Sequence, residues 1–273
     1  DGVDGEEIFK DQPYTVESGK ATPAFNGTPT RKGYTFAGWT PESIPADSTG
    51  NISFTAKWEA GTATLLSGST LTTKMSNIAG TKTEITAFLH SDTKPTDENM
   101  TETNVISKRD SETPIYLWRD GTTLKWWSKA GTVNAGADLN SLFRNYKSLT
   151  DISGLADWNT SSVTNMYGMF NECSGLTNLN ALENWNTGSV EYMSYMFYNC
   201  NKLTDLSGLE NWDTGTVTDM SYMFDNCSCL TNLNALENWD TGSVTNMSSM
   251  FDECSRLTNL NALENWDTGS VTD

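Results

Sequence analysis

Tyr195 and Tyr222 stand where the matching positions of neighbouring segments hold Gly168 and Ser249, and Tyr198 follows Tyr195 by three residues. Rings with a polar tip suit contact with a protein or a glycan; the other use for them is to fold down over the underlying structure. Asn178, Asp205, Asn232 and Asn259 recur at one fixed interval, as do Thr177, Thr204, Thr231 and Thr258. Such rows either hydrogen-bond locally and along the chain's own repeats, or present a regular polar face that engages a long repetitive ligand by multivalency. A further row, Asn159, Asn186, Asp213, Asp240 and Asp267, lies in a turn. Its oxygens are of the type that holds calcium, yet the Gly-Gly-x-Gly-x-Asp pattern of calcium-binding repeats is missing. No metal site and no cofactor are assigned.

Cysteine and histidine chemistry is sparse. Cys173, Cys200, Cys227 and Cys254 share the interval, without zinc-ligand spacing. Neighbouring units about 4.8 Å apart would bring them within disulfide range, but a Cys that recurs beside Met and Phe reads first as a small buried apolar residue. Cys229 replaces Gly175, Lys202 and Arg256, so it is expected on the surface and is the reactive thiol. His90 is the single histidine, and no Ser or Cys stands in a recognisable nucleophile context. No catalytic residue is assigned and the chain is not expected to be an enzyme.

These rows imply a repeat that positions them. Trp158, Trp185, Trp212, Trp239 and Trp266 are spaced 27 residues apart, and such a period marks a solenoid. Within one unit, Met220, Met223, Phe224 and Cys227 fall at i, i+3, i+4 and i+7, which predicts a helix of about two turns. Leu230, Leu233 and Leu236 then follow at the interval of a leucine-rich coil. The expected fold is a β-rich leucine-rich-repeat solenoid whose 27-residue coils each hold short strands and a two-turn helix. Stacking would bury ladders of Phe170, Phe197, Phe224 and Phe251, and of the tryptophans. An atypical first unit holds Tyr146 at the Cys position and Gly131 at the Trp position.

Charge narrows the partners. The chain carries −18, and residues 151–273 hold 17 acidic side chains against Lys202 and Arg256, or −15. Such a surface repels nucleic acid and anionic lipid. It either keeps the apolar repeat soluble or attracts a basic partner. No window approaches the roughly 20 apolar residues of a membrane helix. The chain starts at Asp1 and ends part-way through a unit, so signal and anchor segments are expected outside it, and its oligomeric state is left open.

Three regions are expected: 1–60 as a small β module, 61–130 as a β-rich cap, and 131–273 as the repeats. In the first, strands are expected at Tyr14-Thr15-Val16, Tyr34-Thr35-Phe36 and 52–58, with Phe36, Trp39 and Trp58 as core. Turns are expected at Ser18-Gly19, Asn26-Gly27, Lys32-Gly33 and 48–50. In the second, Leu71 and Met75 enter a strand or a short helix, and 84–90 reads as a strand. Residues 91–103 read as a loop, and Asp120-Gly121 signals a hairpin between 114–118 and 123–127. Trp126-Trp127 either pack on the first unit or stack on a sugar.

Two resemblances bear on setting. The stretch 29–40, with its Gly33-Tyr34-Thr35-Phe36-Ala37-Gly38-Trp39 core, resembles the Listeria–Bacteroides repeat, also called the internalin B-repeat. Phe54-Thr55-Ala56-Lys57-Trp58 and the opening from Asp4-Gly5 to Ser18-Gly19 fit the same pattern. That resemblance implies a β-grasp-like module of bacterial surface proteins, often a spacer. The pattern Trp-Asp-Thr-Gly/Ser-x-Val-Thr-x-Met-x-x-Met-Phe-x-x-Cys-x-x-Leu-Thr-x-Leu over 131–273 resembles the BspA-like leucine-rich-repeat surface proteins. It implies a secreted or wall-attached bacterial protein that adheres to a host protein, a bacterial surface protein, matrix protein or glycan, and it brings no catalytic residues. The functional expectation is surface adhesion, with candidate ligand contacts at Tyr195, Tyr198, Tyr222, Asn178, Asp205, Asn232 and Asn259. The alternatives are a ligand-free spacer or coat element, and the binding region of a larger secreted enzyme.

Overall fold

The computed structural model describes residues 12–16, 25, 27–29, 34–46 and 48–273. The opening from Asp4-Gly5, the turns at Ser18-Gly19 and Lys32-Gly33, and Asn26 lie outside the described residues. At the N-terminal end, β1 (Tyr34–Thr40) pairs antiparallel with β2 (Thr55–Ala60), with Phe36 opposite Trp58 and a register shift between Phe36 and Gly38. Phe36 lies 5.2 Å from Trp39 and 5.8 Å from Trp58, ring to ring, and Phe25 packs on Trp39 and Phe54. The expected core rings thus pack on one another, though each is only half-buried. Tyr14-Thr15-Val16 is not a strand, and a two-stranded pair without a helix is all that the described residues offer toward a β-grasp.

The middle region supplies the single α-helix among the described residues, α1 (Gly68–Ala79), which turns Leu71, Met75 and Ala79 inward. Two three-stranded sheets flank it. In one, β3 (Thr62–Thr64), β7 (Thr132–Asn134) and β8 (Trp158–Asn159) run parallel. In the other, β4 (Ala87–His90) pairs parallel with β6 (Thr123–Ser128), which pairs antiparallel with β5 (Ile115–Asp120). The hairpin turns at Gly121, with φ 60°. This region lies on the first repeat unit. The Phe88 amide donates to the Asp151 carbonyl at 2.8 Å, the Phe88 ring meets Phe143 and Trp158, and Trp126 Nε1 donates to the Gly154 carbonyl. Gly131 holds the Trp position because a side chain there would meet Ala60 at 2.7 Å.

The expected β-rich leucine-rich-repeat solenoid, with a two-turn helix in each coil, is not the architecture. No α-helix occurs in residues 131–273, and the sheets among the described residues have two or three strands. The apolar spacing does bury Met220, Met223, Phe224 and Cys227, but on a different backbone. Amide donors alternate. Those of Met220, Tyr222, Phe224 and Asn226 reach carbonyls of Asn246, Ser248, Met250 and Asp252 in the following unit. Those of Met223, Asp225 and Cys227 reach back three residues in their own unit. A helix would send every amide four residues back. Left-handed residues at Tyr222 (φ 56°) and Asn226 (φ 57°) prevent it. Each leucine segment adds one short 3₁₀ turn, such as Asn234–Leu236. The 27-residue period thus builds a column of turns stitched unit to unit.

Interior side chains follow the same stitching. Phe143, Phe170, Phe197, Phe224 and Phe251 stack at 5.4 to 5.7 Å, nearly parallel. Trp185, Trp212, Trp239 and Trp266 each donate Nε1 to a leucine carbonyl of the preceding unit, at 3.0 or 3.1 Å. Buried Thr187, Thr214 and Thr241 donate forward, to the carbonyls of Asp213, Asp240 and Asp267. A buried polar group without a partner costs about 1–3 kcal/mol, so an apolar unit tolerates these groups only when neighbours accept from them. The last unit shows the converse: Leu233 is 2% exposed with a unit stacked beyond it, whereas Leu260 is 56% exposed.

Phe224 is held between two rings and fully buried. Phe224→Ala is expected to cost about 3–5 kcal/mol and to loosen the units on both sides. Denaturant melts with hydrogen exchange read by unit check this, and protection lost in a single unit would contradict a continuous column.

Candidate functional site

The tyrosines come together. Tyr195 and Tyr222 stack with ring centres 4.6 Å apart and planes within 12°. Tyr198 and Tyr167 each stand 5.6 Å from Tyr195, tilted. Tyr195, Tyr198 and Tyr222 are half-buried, while Tyr167 and Tyr192 are 40% and 46% exposed. Tyr167 does not follow from the 27-residue spacing, because it sits one residue off the row of Tyr195.

Backbone geometry sets these rings apart from ordinary surface tyrosines. Tyr195 and Tyr222 hold φ 58° and 56°, a region that costs a side-chain-bearing residue about 1–2 kcal/mol. The same position carries Ser141, Gly168 and Ser249 at φ 56°, 56° and 52°. The turn requires the left-handed conformation in every unit, whereas the ring is present in two.

Electrostatics tie the ladder to acidic neighbours. Burial raises Tyr195, and Tyr222, Tyr167, Tyr198 and Asp225 raise it further by opposing a phenolate. Asp225 is also raised, by burial first and then by Asp252 and Glu253. These carboxylates have no ion-pair partner among the described residues.

The Asn and Asp rows behave differently. Asn178, Asp205, Asn232 and Asn259 each accept, through Oδ1, the amide two residues on, capping the 3₁₀ turns at Asn180, Ser207, Asn234 and Asn261. Asn186, Asp213, Asp240 and Asp267 do the same at Gly188, Gly215, Gly242 and Gly269. One oxygen of each is engaged inside its own turn. The structure does not bring them into the tyrosine ladder. Among the described residues no three His, Cys, Asp or Glu side chains gather as metal ligands.

His90 stacks on Trp126 at 4.1 Å and pairs its Nδ1 with Asp157 Oδ2 at 2.9 Å. The neighbouring Ser91 hydroxyl donates to the Thr93 carbonyl. All five cysteines are free. Cys173, Cys200, Cys227 and Cys254 donate Sγ to phenylalanine carbonyls 30 residues back. Burial pushes all four thiols up, Cys254 to about 11.

Residues 132–227 and 204–273 match the family described as "Mycoplasma protein of unknown function, DUF285". The two matches together cover 132–273, just over half of the chain, and the chain belongs to this family. No curated protein and no solved structure matches it. No helix among the described residues is long and apolar enough to cross a membrane.

Two outcomes follow. A carboxyl whose folded value lies above its unfolded one takes up a proton on folding between the two. Its contribution is therefore fully present below the unfolded value, about pH 4, and is lost as pH rises through the folded one. Asp225→Asn is expected to raise the melting temperature at pH 7, with the gain shrinking as the pH falls through the raised carboxyl value and gone by about pH 4. Asn171 occupies the equivalent position in an earlier unit, so the amide fits the turn. A thermal melt series against pH checks this, and a gain that persists in acid contradicts it. For the thiols, Cys229 is half-buried while the other four are buried. Mass spectrometry after native alkylation is expected to find Cys229 modified and Cys173, Cys200 and Cys227 protected until the protein is unfolded.

Proposed function

We propose that this chain is a non-catalytic interaction protein of a bacterial cell surface, and that it binds a host, matrix or neighbouring-cell ligand through the tyrosine ladder of its repeat column. The observation that carries this reading is the pair of stacked tyrosines at positions where the turn needs only a serine or a glycine. Two rings held on left-handed backbone gain little for the fold that serine would not supply. As partly exposed aromatic groups they have the character of interface anchors. The repeat pattern's resemblance to BspA-like surface proteins supports an extracellular or wall-attached setting, as does the internalin B-repeat-like stretch before it. The capped Asn178, Asp205, Asn232 and Asn259 serve the column that presents the ladder. A ligand-free spacer is the competing reading.

Tyr195→Ser with Tyr222→Ser separates the two, because Ser141 and Ser249 show that serine suits this backbone. Arrays of matrix proteins and glycans are probed with wild type and the double variant, with circular dichroism to verify folding. Loss of two anchoring tyrosines is expected to weaken capture about thirtyfold or more. Unchanged capture, or none by wild type, leaves the spacer reading.

A further inference from the structure

The tyrosine ladder has two unlike ends. At one, the Tyr167 ring stands tilted against Tyr195, with centres 5.6 Å apart. At the other, Tyr222 has the Tyr195 ring on one face, and no ring among the described residues stands on its second face. The next unit holds Ser249 at this position, exposed and on the same left-handed backbone. Successive rings of the phenylalanine ladder lie 5.4 to 5.7 Å apart, so one more ring would have stood directly over Ser249. The ladder stops one ring short of Ser249.

Its flank is acidic. Asp225 lies three residues after Tyr222, and Asp252 three after Ser249. In the preceding unit this same offset places the Tyr198 ring 5.6 Å from Tyr195. Asp225 opposes ionisation of Tyr195, and Asp252 and Glu253 oppose ionisation of Asp225. The carboxylates thus stand close to the rings and to each other. After Lys202 the chain has one basic residue, Arg256, which makes no ion pair among the described residues.

We propose that the place over Ser249 is a slot for an arginine side chain of a basic segment on a partner protein, its guanidinium stacked on the free face of Tyr222 and its N–H groups directed to Asp225 and Asp252. The guanidinium is planar, stays charged, lies well on an aromatic face and presents donors in a fork that matches carboxylates. A lysine ammonium has the charge without the plane. A neutral sugar ring has the shape but gains nothing from crowded carboxylates, and an anionic glycan is repelled by the −15 of residues 151–273. The inference rests on the ladder being the binding face and narrows its partner to a basic protein.

The test uses the whole chain and a short Gly/Ser peptide bearing arginines, with matched peptides in which each arginine is lysine or the uncharged, planar citrulline. Titration calorimetry at low and physiological salt is expected to give the arginine peptide at least about tenfold tighter binding than either. Asp225→Asn with Asp252→Asn abolishes that preference, as does Tyr195→Ser with Tyr222→Ser. Equal binding of arginine and lysine peptides, or preferential capture of a neutral glycan, overturns the slot. If array capture depends on the tyrosines while arginine is not preferred, the slot is wrong and the binding face stands. If capture is indifferent to the tyrosines, the proposed face fails as well.

Discussion

The repeat column depends on backbone hydrogen bonds that pass between units. Alternate amides from Met220 to Asn226 leave their own unit for the next, and the amides between them close tight turns. Everything else is subordinate to this alternation. It sets the register in which phenylalanines stack on phenylalanines, and it places the leucine carbonyls that accept from the indole nitrogens. It also demands two left-handed residues in each unit. No unit can satisfy its own donors, so stability belongs to the column and not to any unit of it.

Much of this was legible in the sequence, and the exception is instructive. The spacing of Met220, Met223, Phe224 and Cys227 correctly marked residues that face inward together. Taken alone it predicts a helix, because helical periodicity is the usual cause of that spacing. A run of three-residue turns also brings the third and fourth residues onto one side, and apolar spacing does not tell the two apart. The recurrence of Gly168, Ser141 and Ser249 at a single position was the available hint of left-handed backbone. The tyrosines at that position hid it. Asp120-Gly121, by contrast, was correctly read as a hairpin because its turn chemistry is local.

The site was legible in part for the same reason. Tyr195 and Tyr222 stood out as departures from the repeat, and their stacking follows from register. Asn178, Asp205, Asn232 and Asn259 also form a row, yet each has its Oδ1 engaged two residues away. Residues that keep the pattern mostly serve the column, so a recurring polar row is weak evidence of a ligand. Tyr167 escaped notice because its row assignment differs from the place its ring reaches.

The stitching runs in both directions. Indole and thiol donors reach 30 residues back, while the buried threonines reach 26 residues forward. Both reaches join the same pair of positions at each junction between units, so adding or removing a whole unit inside the column leaves every bond type intact. A single-residue insertion between Trp212 and Trp239 would instead misalign every donor beyond it within that unit. The column is therefore digital in length. It can lengthen or shorten by duplication or loss of 27-residue blocks, carrying its surface rings closer to or further from its base, while smaller changes of length are barred from its interior.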